Sequence, residues 1–205
     1  MPMDGVMLGF LARELNQTLK DGRVDRILQP EKDEIHLLIR AQGANHRLVL
    51  SASANAARAH LSAHAKTGPM EPPMFCMLLR KHLQSARIRS VRALPNERIL
   101  AFELEGFDEL GHSEIKRIYA EIMGKYSNFF LCDGGDRILG ALHTTDITAK
   151  TRRIFAGAPY ERPPAQDKRD ALAADRESFL SLVRENAGIS ADRFLLTQFL
   201  AFSPL

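Results

Sequence analysis

Cysteine is scarce in this 205-residue chain: there are two, Cys76 and Cys132. Both lie in apolar runs, Phe75-Cys76-Met77 and Phe130-Leu131-Cys132, where thiols are expected to be buried and reduced. A structural metal site needs more ligands at closer spacing, and the seven histidines are scattered without it. No apolar run approaches the ~20 residues of a membrane span. The opening Met1-Pro2-Met3-Asp4-Gly5 lacks the basic stretch and apolar core of a signal peptide. A glycine-rich phosphate loop and a nucleophile elbow are also missing. These absences predict a cytoplasmic protein with no cofactor, no metal, no membrane partner and no visible catalytic machinery.

What is present is ordinary for a folded domain: 45% hydrophobic and 26% charged residues. Lys and Arg number 28 against 25 Asp and Glu, a net charge of +3. That balance is compatible with nucleic acid without requiring it, so the distribution of charge decides more than the total.

Residues 6–20 repeat apolar side chains at helical spacing (Val6, Met7, Phe10, Leu11, Leu15, Leu19), with Asp4 and Gly5 suited to the N-terminal cap and Gly22 to the end. Strands are predicted over 23–29, 34–40 and 46–50, joined by turns. The alanine-rich stretch 53–66 reads as a surface loop with some helix. Pro72-Pro73 opens a second helix over 74–84. Further strands are expected over 88–93, 98–105, 115–123, 128–132 and 138–143, the last after the hairpin signal Asp133-Gly134-Gly135-Asp136. About eight strands with short turns predict an α+β fold, an antiparallel β-sandwich with flanking helices. The composition shifts after Tyr160. Arg162-Pro163-Pro164-Ala165-Gln166 reads as a linker, dividing a domain over 1–165 from a helical segment over 166–205. Helices are expected over 168–186 and 191–201. Their stripe of Phe179, Leu182, Phe194, Leu195 and Phe199 needs a partner, expected to be the sandwich or a second copy of the chain. Ser203-Pro204 would cap a further helix, which predicts that the chain is a fragment of a longer protein.

Three groups of residues could carry function. Between Pro72 and Arg92 lie Arg80, Lys81, Arg87, Arg89 and Arg92 and no acidic residue. Such a patch is either a phosphate-binding surface or two solvated faces. Asn96-Glu97-Arg98 precedes an apolar strand, placing a donor fork beside an acceptor; the pair can read a base edge, or it is a turn with exposed charges. The segment Glu121-Ile122-Met123-Gly124-Lys125-Tyr126-Ser127-Asn128 reads as a strand entering a glycine turn. It offers a cation, a stacking ring and hydrogen-bonding groups of the kind that read single-stranded RNA, or it is a polar hairpin. Asp146 near His143 and Thr144 is a possible polar cluster.

Together, Asp4-Gly5 with its leucine-rich helix, Pro72-Pro73-Met74-Phe75-Cys76-Met77-Leu78-Leu79-Arg80-Lys81-His82-Leu83, and Glu121 through Asn128 resemble the N-terminal domain of the NFACT family. Gly157-Ala158-Pro159-Tyr160 and Pro163-Pro164 agree more weakly, and the tail resembles the start of that family's helix-hairpin-helix region. The resemblance implies a fold similar to the N-terminal domain of Fpg/MutM-type glycosylases. It implies a ribosome quality-control factor that is not itself an enzyme. Its partners would be the obstructed 50S subunit with its peptidyl-tRNA and alanyl-tRNA, held for C-terminal alanine tailing of stalled chains. An Asp-Arg pair of the family holds the tRNA anticodon arm; Glu97 and Arg98 match it here, with the carboxylate one methylene further out. The implied tRNA-binding residues are Glu97, Arg98, Glu121, Ile122, Met123, Lys125, Tyr126 and Asn128, helped by the basic patch at Arg80, Lys81, Arg87 and Arg89. The family's fibronectin-binding label offers an adhesin as the alternative. A glycosylase-type enzyme using the Pro2 amine is a remote one, since Met3 stands where a glutamate should follow and no four-cysteine zinc module is present.

Overall fold

A computed structural model describes residues 3–107, 110–145, 152–164, 167–171, 173–200 and 202. Expectations for Pro2, Asp146, Ala165, Gln166 and 203–205 fall outside the described residues.

Helix α1 (Gly5–Leu19) starts where expected, with the Asp4 carboxylate accepting from the Met7 amide at 2.7 Å. Leu8, Ala12, Leu15 and Leu19 form its buried stripe, laid against the sheet. Nine strands follow: β1 (Arg23–Glu31), β2 (Glu34–Ala41), β3 (Ala44–Ser51), β4 (Arg58–Leu61), β5 (Arg87–Ala93), β6 (Ile99–Phe107), β7 (Ser113–Glu121), β8 (Asn128–Asp133) and β9 (Ile138–Ala141). Helix α2 (Met74–Leu83) intervenes between β4 and β5 and packs on β1, β6 and β9.

The α+β, antiparallel class is the one the sequence predicts. The strands form one open sheet, in the order β4-β3-β2-β1-β5-β6-β7-β8-β9. Its halves meet where β1 and β5 pair through a single position, Arg23 with Arg87. The hydrophobic core spans this joint, drawing on Ile27 and Leu37 from one half and on Phe102 and Phe129 from the other, under both helices. The additional strand is β4, which lies in the alanine-rich stretch read from sequence as a loop. It is a four-residue edge strand paired to β3, too short to show an alternating pattern.

Alternation along β6, β7 and β8 sends successive side chains to opposite faces. Leu100, Phe102, Ile118, Ala120, Phe129 and Leu131 join the core beneath the helices. Ile99, Ala101, Tyr119, Phe130 and Cys132 form a second cluster on the other face, with Ile154, Phe155, Ala158 and Tyr160 packed over it. Residues 152–160 therefore act as a cover. They are stitched to the last strands by the Ile138 amide on the Ala158 carbonyl (2.8 Å), Gly157 on Ile138 (2.7 Å) and Tyr160 on Asp136 (2.8 Å). This cover buries the face that carries Glu121.

Helices α3 (Arg176–Glu185) and α4 (Ala191–Gln198) form a small unit. Within the chain, part of the tail's apolar stripe packs on itself. Phe179, Phe194 and Phe199 pack on one another, with ring centroids 5.8 to 6.0 Å apart, and Leu182 is buried with them. This small unit covers only part of its apolar surface, since Phe179, Leu180, Val183 and Ile189 stay exposed. The Asn96 side-chain amide reaches Asp170 at 3.0 Å and ties this unit to the turn before β6.

Candidate functional site

The turn between β5 and β6 is tight. Asn96 takes a positive φ of 60°, and the Glu97 amide donates to the Leu94 carbonyl at 3.2 Å. Glu97 and Arg98 emerge from it half-buried. Among the described residues neither side chain is hydrogen-bonded within the chain. Burial raises the Glu97 pKa and lowers that of Arg98, so each charge sits in surroundings that solvate it poorly. Around Glu97, Arg162 opposes that rise while Glu121 adds to it. Arg98 is held toward its charged form by Glu97 and by Asp4. Asp4, read from sequence only as a helix cap, thus also belongs to the electrostatics of this turn. No local pattern could signal that, because the attraction acts between the chain's start and residue 98.

The structure brings the Glu121–Asn128 segment alongside. Ile99 pairs with Glu121 across β6 and β7, and the Ile122 amide donates to the Arg98 carbonyl at 2.8 Å. Within this segment the residues divide by role. Glu121 is 2% exposed. Arg152 Nη1 donates to its Oε2 at 2.7 Å, and the Tyr160 hydroxyl donates to its Oε1 at 2.9 Å. Arg152 Nη2 lies 2.6 Å from Oε1, an ion-pair contact out of line for a hydrogen bond. Burial works against charge on Arg152, but its bond to Glu121 and the Glu121 field win and raise its pKa. Burial, then the Glu121 charge, pushes the Tyr160 hydroxyl pKa upward, so it stays a donor. Ile122 is buried in the main core and Met123 is half-buried.

A single turn of 3-10 helix, Gly124–Tyr126, carries the chain round, with Gly124 at φ 58°. Ser127 and Asn128 hold this turn. The Ser127 hydroxyl oxygen accepts from the Met123 amide at 2.8 Å. The Asn128 amide group donates to the His143 carbonyl at 2.8 Å, and its oxygen accepts from the His143 and Phe129 amides, each at 2.9 Å. Lys125 and Tyr126 are left at the surface, the ammonium 5.0 Å from the Tyr126 ring centre and the ring 71% exposed.

Two clefts open here, on either side of Pro163 and Pro164. The larger, about 510 Å³, is lined by Glu121, Lys125, Tyr126, His143, Thr144 and Arg152 among others. The smaller, about 50 Å³, is lined by Asn96, Glu97, Arg98, Met123 and Phe202. The prolines line both. Sequence reasoning treated Pro163-Pro164 as linker and did not connect them to either motif.

The basic patch is spread along the sheet: Arg92 pairs with Ala101, three residues from Arg98, while the rest lies further off. Arg87 pairs with Glu105, at the opposite end of β6 from Arg98, about 20 Å away at roughly 3.3 Å per residue. Arg89 is engaged by Glu105 at 2.5 Å, and Arg80 donates to the Ile27 carbonyl at 2.9 Å. Lys81 is on the exposed side of α2. No group of three or more His, Cys, Asp or Glu side chains suited to a metal exists among the described residues. No helix among them is long and apolar enough to cross a membrane.

The model of the family described as NFACT N-terminal and middle domains matches residues 4–205. A protein named Rqc2 homolog RqcH from Bacillus subtilis (strain 168) is 35% identical over 207 residues, covering 100% of this chain and 36% of that protein. One of the same name from Streptococcus suis is 39% identical over 166 residues, covering 80% of this chain and 30% of that protein. Among solved structures, the N-terminal domain of fibronectin-binding protein PavA from Streptococcus pneumoniae superposes with a TM-score of 0.89 at 29% identity, covering 98% of this chain and 75% of that one. The N-terminal part of the fibronectin/fibrinogen-binding protein from Streptococcus suis gives 0.88 at 33% identity, with coverages of 98% and 75%. The chain spans about a third of the length of these two curated relatives.

Proposed function

Because the chain belongs to the family of NFACT N-terminal and middle domains, we propose that it is the tRNA-binding part of a ribosome quality-control factor. It acts as a binding module without chemistry of its own. Its partners are tRNA, gripped at the anticodon arm, and the obstructed 50S subunit with its peptidyl-tRNA. In the longer protein the grip on alanyl-tRNA supports alanine tailing of stalled chains.

The observation that carries this reading is the Glu97–Arg98 turn. Two charged side chains are half-buried, neither is hydrogen-bonded among the described residues, and they line a cleft that shares its Pro163–Pro164 wall with the one lined by the exposed Tyr126. Holding unspent charged groups in poor solvent favours a ligand that supplies their partners. A splayed RNA base offers both: an acceptor edge for the guanidinium fork and an amino group for the carboxylate. Lys125 then meets a phosphate and Tyr126 stacks a neighbouring base. Binding of alanyl-tRNA to the parent chain and to Arg98→Ala, at one fixed salt concentration, tests the reading.

The names of the solved relatives favour a second reading, binding of a fibronectin-type matrix protein. Saturable fibronectin binding at physiological salt by this chain, and not by a charge-matched control, would support it.

A further inference from the structure

Glu121, the most deeply buried polar residue of the Glu121–Asn128 segment, borders the larger cleft, yet it is only 2% exposed and its carboxylate is taken up by partners within the fold. The geometry points to Glu121, Arg152 and Tyr160 as one clamp that positions the Pro163–Pro164 wall between the two clefts. Glu121 is then a positioning residue that touches no RNA. The functional half of this inference rests on the tRNA-binding reading above.

Four observations support it. Both carboxylate oxygens of Glu121 are engaged, by Arg152 and by the Tyr160 hydroxyl, on a residue 2% exposed. A carboxylate so enclosed has no free face for a base edge. The Arg152 guanidinium lies over two rings, 4.9 Å from the Phe130 centre and 5.0 Å from that of Tyr160. The Tyr160 ring in turn stacks on Tyr119 at 4.0 Å with planes 5° apart. Both clamp residues belong to the cover that returns across the sheet, one at its start and one just before the prolines.

The charges explain why these residue types are needed. A buried carboxylate left unpaired is strongly unfavourable, so Glu121 holds Arg152 and Tyr160 in place as firmly as they hold it. Both ends of residues 152–160 are thereby fixed to the end of β7, beside Arg98. Three residues beyond Tyr160 the chain reaches Pro163, whose position follows from that anchor. Loss of the clamp would release the wall and alter both clefts while leaving Arg98, Lys125 and Tyr126 chemically intact.

A double-substitution cycle tests the clamp, with Glu121→Gln and Arg152→Gln made singly and together in this chain. Hydrogen exchange is read at the Ile154, Gly157 and Tyr160 amides, and tRNA affinity is read at fixed salt. Each single change is expected to speed exchange at those amides at least about tenfold while the β6 amides keep their protection. Each is expected to weaken tRNA binding, and the double variant to bind no worse than the weaker single. Tyr160→Phe keeps the stack on Tyr119 and loses only the hydroxyl bond, so it is the milder variant and should shift exchange in the same direction by less. Additive losses of affinity, or weakened binding with unchanged exchange, would overturn the inference, because Glu121 would then act on the RNA directly. A parent chain that binds no tRNA would overturn the functional reading instead, and the exchange measurements would still decide the clamp.

Discussion

The Ile122 amide donates to the Arg98 carbonyl oxygen at 2.8 Å. This one backbone bond joins two segments that the sequence marks separately, the charged pair before β6 and the glycine turn after β7. It continues the β6–β7 ladder by one rung past Ile99 and Glu121. The position of Arg98 is thereby coupled to the backbone that leads into Lys125 and Tyr126, so the proposed contacts with RNA form one surface on a rigid sheet end.

Asn128 secures that surface. It is 4% exposed and its side chain makes three hydrogen bonds with backbone groups of Phe129 and His143. Asn128→Ala leaves those groups without their partners and is expected to lower stability by about 2–4 kcal/mol. Chemical denaturation with an unchanged slope checks this. Weaker tRNA binding should follow from loss of the turn's shape even though Asn128 has no exposed face.

Tyr126 should behave in the opposite way. Its ring is exposed, with the Lys125 ammonium over it. Tyr126→Ala is expected to leave the melting temperature within about a degree of the parent, since surface changes rarely exceed about 0.5 kcal/mol. It should weaken RNA binding by about 1–3 kcal/mol, the usual loss on removing one stacked ring. Equilibrium binding and thermal melting on the same preparations separate the two effects.

Glu97 carries the pH dependence. Burial raises its pKa above the ordinary 4.5, so it takes up a proton earlier than a solvated carboxylate as pH falls. Its charged form therefore weighs against the free fold at neutral pH, and that penalty is relieved as pH drops through the raised value. Glu97→Gln is expected to raise stability at pH 7, with the gain fading under acid. The same change should weaken tRNA binding at pH 7 and flatten its decline toward acid, because an acceptor has been replaced. Melting and binding curves across pH in both proteins check the two signs.

Gly22 shows where the fold itself is intolerant. A Cβ there would lie 2.7 Å from the Ala41 Cβ and 2.8 Å from the Leu19 carbonyl oxygen. Gly22→Ala is expected to destabilise by about 1–3 kcal/mol through overpacking of the α1–β1 corner. Differential scanning calorimetry would read it as a lowered melting temperature with tRNA affinity retained below the transition.

The sequence showed most of the elements because their signals are local. The Asp4 cap, the Pro72-Pro73 opening and the Asp133–Asp136 turn each act within a few residues. What it could not show was which face a third element would cover. Alternation correctly set Tyr119 and Glu121 on one side of β7, but only the return of residues 152–160 across that side turns Glu121 from a surface acceptor into a buried anchor. The Glu97–Arg98 turn was legible as a candidate from its charges and its place before an apolar strand. Its nearness to Asp4 and to Pro163-Pro164 was not, since those pairs are separated by about a third to nearly half of the chain. The spread of the basic patch was hidden for the same reason: Arg87 pairs with Glu105 at the far end of β6 from Arg98, while Arg92 pairs with Ala101 near it.

The central claim is that Arg98 meets RNA directly, and alanyl-tRNA affinity in Arg98→Ala tests it most directly. The variant's fold is checked by its melting temperature. At the same salt and pH Arg98→Ala is expected to bind more weakly by about 1–3 kcal/mol, the loss of one bidentate contact to a base. A well-folded Arg98→Ala chain that binds alanyl-tRNA as tightly as the parent would contradict it.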